Sequence, residues 1–413
     1  MKVLFICLDH YPHSGACTSL LNKMLYTGGL KEKLGEVHVL TVKRNYADAD
    51  YVCINGVKVH RCYPLSLLTR AEILRILPQK PWLALRGIAI KLVTKVRNRL
   101  CKKELIFRRN VTNAFIKKLQ KLKNENYDIL IPISGYYEAA AVAMESDIPV
   151  VLYQVDPCAS NAKFARKIYK EVARFEKRLY EAAAAIITTP IIYREICENY
   201  PEQIVKKTHA MEFPNVDAED TLGSKRERTD IRCLFAGSLY PTARNPRYTV
   251  KLFNGIQNSQ IRLVFVGADK EQMREFVEEK QIAGNMSFLG KLPLEKAQEE
   301  IADADILVNI GNIMTNQVPS KIFEYISSGK PIINICVNQN CPSIPYLEKY
   351  PLALSIVEGV GTPEEHSAQI EKFIIENAGR TVDKAIILER FKECTAEYCA
   401  RQMTHVLTNV NYK

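Results

Sequence analysis

Lys321 and Glu324, in the stretch QVPSKIFEYISSGKPII (317–333), are the side chains of this sequence best placed for ligand chemistry. Residues three apart on a helix share a face, with Cβ atoms about 5–6 Å apart. A carboxylate there can hold two neighbouring hydroxyls, as on a ribose, and an ammonium can meet a phosphate. Pro319 suits the entrance of a helix and Ser320 a cap. A helix start exposes unpaired amides and a partial positive charge, which attract an anion. A cation in that turn is unfavourable by itself, so Lys321 asks for an anionic partner. Spacing alone admits two readings, a ligand clamp or a local Lys–Glu pair on the surface.

Nearby runs add candidates. Phe235-Ala236-Gly237-Ser238, Phe265-Val266-Gly267 and Phe288-Leu289-Gly290 are strand-like and end in glycine, and Asn309-Ile310-Gly311-Asn312 makes another tight turn. Glycine at a strand end lets a ligand approach the backbone, although most such glycines only make turns. The loop SLYPTARNP after the first run offers Arg244 and Arg247 to phosphates. Ala302-Asp303-Ala304-Asp305 contains the letters of a metal motif but reads as a helix C-terminus before a strand.

These residues need a scaffold, and the hydropathy pattern supplies one. Solid apolar runs at 3–8, 36–42, 128–133, 149–155 and 184–189 read as strands buried on both faces. Helical periodicity fills 18–34, 104–123, 136–145 and 163–183. After a polar stretch ending GSKRERTDI, strands follow at 233–237, 262–267, 286–290, 305–310 and 331–336, and helices at 246–257, 269–281, 293–303 and 319–328. Such alternation predicts an α/β chain of two Rossmann-like, doubly wound parallel-sheet domains facing across a cleft, with ligands at the carboxyl ends of the strands. The domains are expected at 1–205 and 206–385, with a helix in 386–413 crossing back onto the first.

Composition narrows the class. The 413 residues are 47% apolar and 25% charged, as in ordinary globular proteins. Fifty-seven Lys and Arg against 46 Asp and Glu leave +11, which favours an anionic partner. Twelve cysteines occur without a Cys-x-x-Cys, several inside apolar runs, so reduced thiols, no zinc site and a cytoplasmic chain are expected. The opening MKVLFICLDHYP is too short an apolar run for a signal peptide, and no segment offers 18 uncharged apolar residues.

The runs FAGSLYPTARNP, FVG, FLG-KLP, ADADILVNIGN and NQVPSKIFEYISSGKPII together resemble the nucleotide-sugar half of group-1 glycosyltransferases of GT-B fold. The resemblance spans the chain, is strongest over 232–336, and is closest to transferases of bacterial surface polysaccharide assembly. It implies that Glu324 holds the nucleotide ribose. It implies that Arg244 is the second of a basic pair on the diphosphate, the first falling on Ser238. Lys321 and the Ser320 amide assist near the phosphates or sugar, and the loop from Gly290 to Pro293 borders the base. The strand-end residues Gly237, Gly311 and Asn312 complete the donor-binding set. The family's Glu–seven residues–Glu pattern ends on Glu324 and begins on Asn316, an amide where an acid is usual. In the first half, Asp9 to Gly15 looks like the family's glycine loop, with the Gly15 and Ala16 amides opening a helix toward the donor phosphates. Where the family carries His or His-Asp, this chain reads Gln154-Val155-Asp156-Pro157. Asp156 is the base that the resemblance leaves, and a helix-capping role fits it nearly as well. His10 and His13 read as ordinary loop residues.

The activity implied is metal-independent, usually retaining transfer of a hexose or amino sugar from a nucleotide diphosphate-sugar to a glycan or polyprenyl-diphosphate-linked acceptor. Arg, Lys and amides then stabilise the leaving group. Two other readings are a GT-B epimerase, which would want more acids and histidines, and a non-catalytic scaffold, which Asn316 and the missing histidine favour.

Residues 64–123 carry sixteen basic side chains against Glu72 and Glu104, more than the whole net charge. Interleaved with Leu, Ile, Trp82 and Phe107, they read as a surface for peripheral contact with an anionic membrane, at the inner face of the cell membrane. The plain alternative is a solvated helical face. No nucleic-acid module is recognisable.

Overall fold

The computed structural model describes residues 1–10, 15–100, 108–134, 137–157, 159, 169–217, 227–241 and 243–410. The chain divides into two compact units, Met1–Pro214 with Ala396–Lys413, and Asn215–Thr395.

The first unit is built on eight strands. They are β1 (Lys2–Ile6), β2 (Glu36–Val42), β3 (Tyr51–Ile54), β4 (Val57–Cys62), β5 (Ile129–Ser134), β6 (Val151–Gln154), β7 (Ala185–Thr188) and β8 (Thr208–Ala210). Their order is β3-β4-β2-β1-β5-β6-β7-β8. Each neighbour is parallel except β3, which runs antiparallel on β4 at the edge. Val3 pairs with both Val37 and Ile129, so β1 lies where the winding reverses. Leu4, Ile6, Leu40 and Leu130 are buried, as helix-covered parallel strands require.

The edge hairpin is absent from the apolar-run reading because β4, VKVHRC, is half polar. Its local cue is Asn55-Gly56, both left-handed at φ 48° and 78°, the two-residue turn whose twist suits a hairpin. The helix expected over 18–34 is two, Ala16–Tyr26 and Leu30–Leu34. Gly29 breaks it at φ +69°, and a Cβ on Gly28 would lie 2.4 Å from the Ala396 carbonyl oxygen. The C-terminal helix Ala396–Asn409 packs on both pieces there.

The second unit has six parallel strands, β9 (Ile231–Ala236), β10 (Ile261–Val266), β11 (Met286–Phe288), β12 (Ile306–Ile310), β13 (Ile332–Cys336) and β14 (Ala353–Val357). Their order is β11-β10-β9-β12-β13-β14. β9 pairs with β10 through Leu263↔Cys233 and with β12 through Ile306↔Cys233, so the winding reverses between β9 and β12. Phe235, Phe265 and Phe288 meet on one face, the last two stacked at 5.1 Å. The helix expected over 269–281 shrinks to Lys270–Met273 and a single turn at Glu279–Gln281.

Candidate functional site

In an open α/β sheet the crevice for a ligand lies at the carboxyl ends of the strands where the winding reverses. In the second unit that point follows β9 and β12. The loop after β9 is closed by the Tyr240 and Arg244 backbones, which exchange hydrogen bonds of 3.0 and 2.8 Å. The loop after β12 joins it through the Ile313 amide, which donates to the Ala243 carbonyl at 2.8 Å. Arg244 crosses between them: its Nε and Nη2 donate to Asn312 Oδ1 at 3.2 and 3.0 Å, and its Nη1 to the Ser238 carbonyl at 3.4 Å. The side chain is half-buried, and burial lowers its affinity for the proton without making it neutral. Among the described residues no carboxylate pairs with it. A partly desolvated guanidinium held by neutral oxygens is an incomplete arrangement that an anion would complete.

The helix Lys321–Ser327 rises beside this point. Tyr325 anchors it: the Tyr325 hydroxyl accepts from the Ala236 amide, the last residue of β9, at 2.9 Å. Tyr325 is fully buried, and that burial pushes its hydroxyl pKa up, so it stays protonated. Lys321 Nζ lies 2.6 Å from Glu324 Oε2, with side chains 29% and 38% exposed. The local ion pair is therefore formed, and both side chains remain partly exposed to solvent.

Ser320 occupies the N-cap position, but its side chain makes no capping bond. The Ile322 and Phe323 amides turn back to the Pro319 and Ser320 carbonyls at 3.0 and 3.2 Å. Neither is the Ser320 amide that the resemblance assigns to the ligand. Asn215 holds the Ser320 carbonyl at 3.3 Å. Gly329, at φ +74°, stops the helix, and Lys330 donates to the Ala302 and Ala304 carbonyls at 2.9 and 2.6 Å.

The glycines divide by role. A Cβ on Gly267, which sits at φ +104°, would lie 2.3 Å from the Gly237 carbonyl oxygen. Backbone meets backbone there, so Gly267 is required by packing. Gly237 donates to Val266 at 2.9 Å and Gly267 to Gly290 at 2.7 Å, which ties three strand ends together. Gly311 packs its backbone against Ile335 and the Cys341 sulfur. Gly290 is left-handed at φ +66° with nothing nearer its Cβ position than Asp269 at 3.7 Å, so a ligand has room there. Asn316 lies in the loop between β12 and the Lys321 helix and is half-buried. Arg247 directs its Nε to the Phe276 carbonyl, away from the phosphate role its spacing offered.

In the first unit Gly15 caps the helix Ala16–Tyr26 from an extended conformation. Cys17, in that helix's first turn, donates to Asp156 Oδ2 at 3.3 Å, and Gln154 Nε2 donates to the Asp156 carbonyl at 3.3 Å. The fold thus brings the start of the first helix to the residue that follows β6. His10 lies in the loop after β1, as expected, but it is buried, 3.0 Å from the Tyr26 hydroxyl. Burial, helped by Arg61, lowers its pKa to about 4. Residues 11–14, with His13 among them, and 135–136 lie outside the described residues.

The Ala302–Asp305 letters are structural. Asp303 accepts from Arg228 and Arg232 at 2.7 Å each, and Asp305 accepts from Arg228 at 2.8 Å. Glu36, His38 and Glu125 gather metal-type donors in the first unit. However, Lys58 lies 2.7 Å from Glu36 and Lys2 lies 2.6 Å from Glu125, so cations already serve both carboxylates. Among the ten described cysteines no disulfide is formed.

The sequence alone singles out Arg244, Asn312, Lys321 and Glu324 but gives Tyr325 no task and does not show that Asn312 holds Arg244. The signal for Tyr325 is its place after Glu324, which turns it about 100° around the helix, toward the sheet.

Residues 230–346 match the profile of a family described as "Glycosyl transferases group 1". No curated protein matches. Among solved structures the chain is similar over 98% of both lengths to sucrose-phosphate synthase from Thermosynechococcus elongatus, at 14% identity and TM-score 0.62. It is similar over 99% of both lengths to Anabaena Alr3699/HepE in complex with UDP and glucose, at 13% and 0.61. It is likewise similar over 99% of both lengths to α,α-trehalose 6-phosphate synthase from Burkholderia multivorans, at 9% and 0.60. At these identities the likeness is one of fold. The fold is GT-B, the resemblance to group-1 glycosyltransferases holds, and family match and fold together support glycosyl transfer.

Proposed function

We propose that this chain is a glycosyltransferase. It takes a nucleotide diphosphate-sugar donor on the second unit and transfers the sugar, with retention and without a metal, to a hydroxyl of a glycan or polyprenyl-diphosphate-linked acceptor in surface polysaccharide biosynthesis. The observation that carries this reading is Arg244, a half-buried cation held by Asn312 and a carbonyl where the winding reverses. A diphosphate supplies the missing anion there. Glu324 accepts from the ribose hydroxyls, and Lys321 turns from Glu324 toward the phosphates. The Gly290 strand end borders the base, Asn316 binds a sugar hydroxyl, and the Gly15 amide adds a donor to the phosphates.

In the reaction the bond from the anomeric carbon to the diphosphate oxygen breaks. The acceptor oxygen bonds that carbon, and its proton passes to the Asp156 carboxylate. Arg244 and Lys321 stabilise the charge on the departing nucleoside diphosphate, the work a divalent cation does elsewhere. Peripheral contact with an anionic membrane belongs to the same reading, since it would bring the chain to a lipid-linked acceptor at the inner face of the cell membrane.

The test is a thermal-shift and calorimetric screen against UDP, GDP and CMP and their sugar conjugates, with and without magnesium. One nucleoside diphosphate binding without magnesium, and losing affinity in Arg244→Ala, is the expected result. No binding by any of them refutes the reading. A second reading, a sugar-nucleotide binder without turnover, draws on the amide at Asn316 and on Asp156 being engaged by Cys17. Donor binding with neither hydrolysis nor transfer to lipid extracts would favour it.

A further inference from the structure

The helix Pro81–Leu100 in the first unit is attached to its neighbours by the wrong face for a soluble helix. Ala84 and Gly87 are buried. A Cβ on Gly87 would lie 2.6 Å from the buried Leu68 side chain. Lys91 donates to the Leu68 carbonyl. Thr94 accepts from Asn110 at 2.5 Å. The most deeply covered positions are thus small or polar, with Leu83 and Ile90 half-buried beside them. The outer side carries Trp82 (83% exposed), Leu85 (56%), Leu92 (61%), Val93 (56%) and Val96 (58%), with Ala89 among them. At 100° per residue these six positions fall within one third of the circumference. Arg86 and Lys95, both exposed, flank the stripe on either edge. Leu74 and Leu77, in and just after the neighbouring helix Arg70–Ile76, are exposed as well.

We infer that this face is a membrane-docking surface: the helix lies in the interface of an anionic bilayer, its apolar stripe among the acyl chains and Arg86 and Lys95 on the headgroups. This deepens the membrane contact proposed above by naming the surface that makes it. Charge complementarity selects the occupant. From Ile73 to Lys103 the sequence contains no Asp or Glu. A second copy placed on this stripe would set cationic edge against cationic edge, whereas an anionic lipid surface meets both edges and the stripe at once. At 1.5 Å per residue the helix is about 30 Å long. Even so, among the described residues no helix is long and apolar enough to cross a membrane, so this one lies on the surface.

The chain has one tryptophan, and it is on this face. The full chain is therefore titrated with phosphatidylcholine vesicles, with and without phosphatidylglycerol, while Trp82 emission and co-sedimentation are followed. Binding to the anionic vesicles, with a blue shift and quenching by bromine-labelled lipid, is expected. Each cation near the surface is worth about fivefold in binding. Arg86→Gln with Lys95→Gln should therefore weaken binding about 25-fold, and Leu85→Gln with Leu92→Gln by about tenfold or more. All four side chains are exposed, so the melting temperature should hold in both variants. Vesicle binding with silent Trp82 overturns the assignment of this surface and leaves membrane contact to another face. No binding to either vesicle overturns both. A lipid-free dimer in which Trp82 is already blue-shifted, and which Leu85→Gln with Leu92→Gln dissociates, gives the face to a second copy and overturns the proposal.

Discussion

Replacing Glu324 by alanine separates the two readings of the Lys321–Glu324 pair, because their magnitudes differ widely. If the pair is only local, its 2.6 Å contact is that of half-exposed partners three residues apart on a helix. Solvent screens such a pair, and its loss costs about 0.3–0.5 kcal/mol. For a unit of this size that is a fall of about 1–2 °C in melting temperature. If Glu324 grips the ribose, the same substitution removes at least one hydrogen bond to a charged acceptor, about 1.5–3 kcal/mol. That is about 10- to 150-fold in the nucleotide's Kd. The local pair offsets little of this, since Lys321 is free to turn to the phosphates when the ribose arrives. Calorimetric titration with the preferred nucleoside diphosphate reads the second effect and differential scanning calorimetry the first. Glu324→Gln should fall between wild type and alanine in Kd, as it keeps an acceptor without the charge. A Kd unchanged within twofold, together with a melting temperature lowered by several degrees, would falsify the ribose assignment and make Glu324 structural.

Other outcomes follow from single contacts. Asn312→Ala frees the Arg244 guanidinium from its two bonds and should weaken diphosphate binding about tenfold, seen by the same titration. Gly267→Ala forces a Cβ onto the Gly237 carbonyl at φ +104° and should cost about 3 kcal/mol or more in urea unfolding, whereas Gly284→Ala meets nothing within 4 Å and should be neutral or better. Asp303→Ala takes one carboxylate from each of two half-buried arginines, which keep Asp305 and Glu300, and should cost about 1.5–3 kcal/mol while the nucleotide Kd stays put. His10 and His60 have pKa values lowered to about 4, each chiefly by burial. The native state holds them neutral while the unfolded chain takes up protons near pH 6.5. Their contribution is complete above pH 6.5 and fades as pH falls toward 4, so stability should drop over that window, and His60→Gln should flatten the slope.

The two sheets were legible because parallel strands covered on both faces must be apolar throughout, and runs such as DILVNI and PIINIC carry that demand in their own letters. Elements at the margin escaped it. β3, YVCI, is only four residues long and β4, VKVHRC, is half polar, so only Asn55-Gly56 marks them. The apolar periodicity of 18–34 does not record the Ala396 backbone that presses on Gly28 and splits the helix there. The glycine strand ends were equally visible, but their purposes were not. Gly267 and Gly237 meet because β9 and β10 are neighbours, a fact of pairing between segments thirty residues apart.

What composition, periodicity and motif order settled was local: two α/β halves, a Lys-x-x-Glu helix start, arginines in a loop after a strand, and a belt of cations. Each of these depends on residues within one turn or one strand. What the packed structure added depends on distant residues sharing a place. Tyr325 fastens its helix to the end of β9, and Asn312 takes hold of Arg244 from sixty-eight positions away. Asp303 turns out to answer two arginines rather than a metal, and the helix Pro81–Leu100 turns its apolar stripe outward. Burial and hydrogen-bond satisfaction are properties of neighbours in space, and neighbours in space become known only when the chain has closed on itself.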